Sequence, residues 1–143
     1  MTVSNVMNVR IVSVRPEETV QLAIARMMEQ GVGSVAVCDG PQLVGIFTER
    51  DVLRLASEGS TFGEFRIGDV MTRSPVTVSP DVGIVDAAHL MAARGIRHLP
   101  VVEGDSLHGM VGIRDVMRTL VEQAWREHDD GARETAQELM RRR

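Results

Sequence analysis

The 143-residue chain contains no lysine and no tyrosine, one cysteine, and only four aromatic side chains: Phe47, Phe62, Phe65 and Trp125. Without rings to stack on bases, and with a net charge of -4, it lacks both the platform and the cationic field of a nucleic-acid binder. A single Cys38 excludes an intrachain disulfide, and its place in the apolar run Val35-Ala36-Val37-Cys38 reads as a structural thiol rather than a nucleophile. No apolar run approaches the ~20 residues that span a bilayer, and the amino-terminal residues meet Arg10 and Arg15 early, so the sequence reads as a cytoplasmic protein with no membrane partner. The absence of lysine also removes any G-x-x-x-x-G-K-S/T phosphate loop, and no serine lies in a G-x-S-x-G elbow, so no enzyme is expected. His89, His108 and His128 are scattered without the short paired spacings of a zinc site, and no metal is assigned.

What is present is an internal repeat. Shifting the sequence by about 64 positions superposes Val6-Met7 on Val70-Met71, Val12-Ser13-Val14 on Val76-Thr77-Val78, and Pro16 on Pro80. The same shift aligns Met27 with Met91, Gly31 with Gly95, Gly45 with Gly109 and Arg50-Asp51-Val52 with Arg114-Asp115-Val116. In each copy, helical spacing over Val20, Ala23, Ile24, Met27 and Met28, or Ile84, Ala87, Ala88, Met91 and Ala92, predicts an amphipathic helix. Gly31 and Gly95 are placed to end these helices in a left-handed cap, and Thr19 and Asp81 to begin them. Two apolar runs around Asp39-Gly40 or Glu103-Gly104-Asp105 then read as a hairpin, and a second helix starts near Glu49 or Ile113. With a first strand over Ile11 to Val14 or Val76 to Val78, each copy is β-α-β-β-α. Half a chain this small would be marginal alone, so the copies are expected to pack through their sheets with pseudo-two-fold symmetry.

The expected division is a first repeat at 5–57, a polar, glycine-rich link at 58–69, a second repeat at 70–121, and a helical extension at 122–143 that breaks or loosens at Gly131. A solvated helix is the simplest reading of that extension. The nine methionines read as adaptable core filler.

The chemistry concentrates where each hairpin enters its second helix, at Gly45-Ile46-Phe47-Thr48-Glu49-Arg50-Asp51 and Gly109-Met110-Val111-Gly112-Ile113-Arg114-Asp115. These loops resemble the G-h-h-T/S-x-x-D signature of cystathionine-β-synthase (CBS) domains, h being apolar. Val6-Met7, Val70-Met71, Thr77-Val78-Ser79-Pro80 and Gly95-Ile96-Arg97-His98-Leu99-Pro100-Val101 resemble that family too, over residues 5–121. The resemblance implies an α/β (α+β) CBS pair, or Bateman module, of the kind that binds adenosine-containing ligands between its repeats. AMP, ADP or ATP is the expected ligand, with S-adenosylmethionine and NAD as further candidates. It also implies a homodimer formed through helices and a regulated protein partner. The alternative is a structural dimerisation module with vestigial clefts.

Physical chemistry agrees with that implication. Asp51 or Asp115, in the first turn of a helix, is placed to accept hydrogen bonds from ribose hydroxyls. Thr48 and the free N–H groups beside it suit a phosphate, with Arg50, Arg114, Arg97 and His98 as the polar neighbours. The apolar strand residues assigned to the adenine are Ile11, Val12, Val35, Ile46, Val76, Ile96, Leu99, Pro100 and Met110, with Thr77 beside them. Thr48 and Asp51 also read as a simple capping box, but Gly112 denies Asp115 that role, so capping alone does not account for both aspartates. Gly112 also departs from the family signature and removes a hydroxyl contact. The two clefts are therefore expected to differ, with Thr48 of the first copy and Arg97-His98 of the second converging on one phosphate.

Overall fold

A computed structural model describes residues 1–142. The first repeat supplies β1 (Ser13–Val14), α1 (Val20–Gln30), β2 (Ser34–Asp39), β3 (Gln42–Thr48) and α2 (Glu49–Ser57). A short α3 (Ile67–Val70) and β4 (Thr72–Arg73) precede α4 (Ile84–Arg94), β5 (His98–Glu103), β6 (Ser106–Gly112) and α5 (Ile113–Arg141) of the second repeat.

The local chemistry explains these bounds. The Thr19 hydroxyl accepts the Leu22 N–H at 3.2 Å and opens α1, while Gly31 and Gly95 close α1 and α4 at φ 64° and 63°, a region only glycine enters freely. Asp81 does not open α4. The helix begins two residues later, at Gly83, and Asp81 accepts the Ser79 hydroxyl instead. Of the two first strands expected, Ser13–Val14 runs parallel to β2, but Val76 to Val78 is no strand: it makes one parallel bridge, Val78 to Val101. Pro75, which has no N–H to donate, and Ser74, turned to φ 46°, separate that stretch from β4.

The strands follow the order β1-β2-β3-β6-β5, with β4 also on β3. The two hairpins join through one pair, Gln42 opposite Ser106. These positions are equivalent in the repeat, so the pseudo-two-fold axis passes between them. Both hairpins also carry an irregularity at equivalent places, Val37/Cys38 and Val101/Val102.

Two cores form, and each is completed from the other half of the chain. Val3 is fully buried among Val78, Ile84, Ala87, Met91 and Leu99 of the second repeat, and its N–H donates to the Val82 carbonyl at 2.8 Å. Ile67 is fully buried among Val14, Val20, Phe47 and Leu55 of the first, its N–H donating to Glu18 at 2.8 Å. Phe62 and Phe65 lie against that same core, so the stretch 58–69 is not the passive link the composition suggested. Likewise Asn8 pairs with Met110 and Thr72 with Ile46. Gly45 and Gly109 suit these crossings because a Cβ on either would stand 2.9 Å from the Thr72 carbonyl oxygen or 3.0 Å from that of Asn8, besides crowding the Met71 or Met7 side chain.

The final helix runs unbroken through Gly131 for 29 residues, about 44 Å. A lone helical glycine costs only about 1 kcal/mol. Here the good helix formers Ala132, Arg133 and Glu134 follow it, an Arg133–Asp129 pair at 2.8 Å spans the site, and the Thr135 hydroxyl donates to the Gly131 carbonyl.

Candidate nucleotide site

A cleft of about 730 Å³ lies between the repeats and is lined from both. Its floor brings together the starts of α2 and α5, so that Thr48 and Asp51 share one space with Arg97, His98, Arg114 and Asp115. Ile11, Val12, Ile46, Arg50, Val76, Ile96 and Met110 line it as well. Four assigned residues do not. Val35 and Leu99 point into the two cores, because alternation along β2 and β5 turns the neighbours of Ser34 and His98 away from the cleft. Pro100 is also buried away from the cleft, its carbonyl taken by the Val78 N–H at 3.1 Å, and Thr77 is exposed outside the cleft.

The two aspartates occupy different environments. One Asp51 oxygen accepts both the Thr48 N–H at 2.9 Å and its hydroxyl at 3.3 Å, and the other faces the Arg54 guanidinium at 3.3 Å. The capping box is therefore formed, and the carboxylate keeps its remaining lone pairs for a ligand. Asp115, opposite Gly112, has only Arg118 at 3.6 Å and a side chain 43% exposed against 13% for Asp51.

Arg50 is a tie between repeats rather than a free cation: its guanidinium donates to the Gly95 carbonyl at 3.0 Å. Beside it, a Cβ on Gly33 would meet the Glu49 carboxylate at 1.9 Å and the His98 Nε2 at 3.3 Å. The missing side chain leaves a niche in which Glu49 stands near His98. Sequence reasoning missed Glu49, Arg118, Asn8, Arg10, Leu53, Thr72 and Pro75 on the cleft wall. Arg118 was accessible from helical spacing, three residues beyond Asp115; Asn8 and Thr72 were not, because they arrive on the exchanged segments.

Burial holds the His98 imidazole below its ordinary range, with Arg114 and Arg97 acting in the same direction and Glu49 and Asp115 opposing. His98 is then neutral at pH 7, and the arginines carry the positive charge of the cleft. A histidine with a lowered folded pKa gives full stability above its unfolded pKa of about 6.5 and loses it as pH falls, since the unfolded chain takes up the proton first. We expect the ligand-free protein to lose stability below about pH 6.5, and His98→Gln to flatten that limb in urea titrations; an unchanged limb would assign it elsewhere. Burial likewise pushes the Cys38 thiol up, away from a reactive thiolate. Among the described residues, no three His, Cys, Asp or Glu side chains converge as metal ligands.

The sequence profile of the CBS domain matches residues 3–58 and 67–122. The chain belongs to the CBS-domain family. Its two CBS domains are 33% identical over 116 residues to the CBS domain-containing protein YhcV of Bacillus subtilis, a match spanning 80% of this chain and 82% of that one. Among solved structures, a CBS-domain protein from Burkholderia ambifaria superposes with a TM-score of 0.81 at 29% identity, over 85% of this chain and 95% of the other. CBSX2, solved in complex with AMP, superposes with a TM-score of 0.75 at 31% identity, over 86% and 98%. The profile reaches back to Val3 and starts its second match at Ile67, the two residues that each bury in the opposite repeat's core.

Proposed function

We propose that this CBS pair binds an adenosine nucleotide of the AMP, ADP or ATP class in the cleft between its repeats. Occupancy is passed on as a change in the contacts between the repeats, in self-association or in the contact with a regulated protein. The observation that carries this reading is the convergence of Thr48 and Asp51 with Arg97 and His98 on a single cleft. Asp51 takes the ribose hydroxyls, the apolar wall of Ile11, Val12 and Ile46 takes the base, and Arg97 with the Thr48 helix start takes phosphate. CBSX2, with AMP in its complex, supports the ligand class. Because Arg50 ties α2 to the end of α4, a ligand seated beside it biases how the repeats lie against each other. The exposed Met28, Leu53, Val85 and Met117 on the repeat helices suit a homodimer.

Calorimetric titration with AMP, ADP, ATP, NAD and S-adenosylmethionine tests the reading. It should show one dominant event that weakens as salt is raised, because phosphate charge contributes. Thr48→Ala and Arg97→Ala should both weaken that event, each about five- to tenfold, with non-additive effects in the double variant. No heat and no thermal shift with any of these ligands would refute nucleotide binding; two resolved events, one per substitution, would refute the shared phosphate site.

A further inference from the structure

Three carboxylates line the cleft. Asp51 is held by Thr48 and Arg54 and Asp115 faces Arg118, but the Glu49 carboxylate has no hydrogen bond or ion pair among the described residues. Its place is set by what Gly33 lacks: the position of the absent Cβ lies 1.9 Å from Glu49 Oε1 and 3.3 Å from His98 Nε2. Carboxylate and imidazole thus approach one point, from α2 and from β5, with no ion pair between them. Of the charges that act on the imidazole, Glu49 acts most strongly, ahead of Arg114, Arg97 and Asp115. The repeat itself does not call for an acid here, because the equivalent position of the second copy is Ile113, and Arg97 replaces Gly33.

An acid in the first turn favours the helix dipole wherever its carboxylate points, and Asp51 already does so for α2. A carboxylate standing at the phosphate end of the cleft does something further. Any phosphate that reaches His98 Nε2 comes beside an unpartnered negative charge, while His98 is neutral at pH 7 and offers no positive charge in return. The repulsion scales with the charge the ligand brings there, which rises with every phosphate. We propose that Glu49 limits the length of phosphate chain that the cleft accepts, biasing it toward the adenosine monophosphate and against the triphosphate. The inference rests on nucleotide binding in this cleft. One phosphate is satisfied by the Thr48 helix start and Arg97; further phosphates extend toward His98, the next residue along the chain, and meet Glu49. Glu49 is also open to solvent, so salt screens its charge.

Calorimetric titration of the full chain with AMP, ADP and ATP tests it, with EDTA present to keep magnesium from the phosphates. Glu49→Gln, which keeps the shape of the side chain and removes its charge, should tighten ATP about tenfold, ADP less and AMP least, and the gain should shrink as salt is raised. Glu49→Asp, which keeps the charge, should hold the ratio of ATP to AMP affinity near that of the unmodified protein. Equal changes for all three nucleotides in Glu49→Gln would leave Glu49 as a helix-dipole acid alone and overturn the inference. Weaker binding in Glu49→Gln would overturn it too, by showing that the carboxylate accepts a hydrogen bond from the ligand. No binding of AMP, ADP or ATP to the unmodified protein would refute the nucleotide reading and this inference with it, and that result is distinct because it appears before any substitution is made.

Discussion

Asp51→Ala should weaken nucleotide binding about ten- to a hundred-fold, the cost of losing charged hydrogen bonds worth about 1.5–3 kcal/mol. It should also destabilise the fold by about 1 kcal/mol, because its carboxylate holds the N–H and hydroxyl of Thr48 at the start of α2. Asp115→Ala separates the two effects. That side chain has only an exposed arginine 3.6 Å away, so its loss should change stability by less than about 0.5 kcal/mol. Calorimetry gives the affinities and urea unfolding the stabilities. Unaltered affinity in a folded Asp51→Ala protein would remove this residue from the ribose site and leave it as a helix cap alone.

The second large effect concerns the exchanged segments. Ile67→Ala should destabilise the protein by about 2–5 kcal/mol, the range for truncating a fully buried aliphatic side chain. The injury should appear in the first repeat although Ile67 precedes the second, since its neighbours are Val14, Val20, Phe47 and Leu55. In hydrogen exchange, the amides of α1 and β2 should lose protection before those of α4 and β5. Val3→Ala should do the reverse at smaller cost, loosening α4 and β5. Equal loss in both repeats would show that the two cores open as one unit; loss confined to the half containing the substitution would contradict the crossed packing.

Much of this architecture is legible in the residues alone. The duplication, the hairpins with glycine at their turns, and the left-handed glycine caps depend on chemistry within a few residues of one another, and all appear where expected. Partnership across the chain is not local. Val6-Met7 has the same pattern whichever core it covers, so periodicity could not show that Met7 lies over Gly109. Nor could a count of apolar residues separate Val35 and Leu99, which fill cores, from Ile46, which is buried and still borders the cleft. The polar side of the site was accessible because Asp51, Thr48, Arg97 and His98 are uncommon on apolar runs and must be accommodated. Glu49 escaped notice because its place depends on the empty Cβ position of Gly33, a feature of packing in three dimensions. At Gly131 the local rule was outweighed by the helix formers that follow it and by the Arg133–Asp129 pair that spans it.

The exchange of segments also fixes an order of assembly during synthesis. When the chain has grown only to Ser57, the first repeat possesses its helices and hairpin, yet the hole that Ile67 will fill is open. Residues 1–8 have meanwhile been made and have no partners until α4 and β6 follow. Residues 1–8 thus settle only after partners about a hundred positions further on have been made. A product truncated in the connector would carry an idle arm at one end and a vacant socket in its body. Since the arm of each repeat is built to the same pattern as the one its socket lacks, Val6-Met7 corresponding to Val70-Met71, two such fragments could complete each other. The internal duplication thereby supplies within one polypeptide what a pair of identical half-length chains would have to obtain by trading arms.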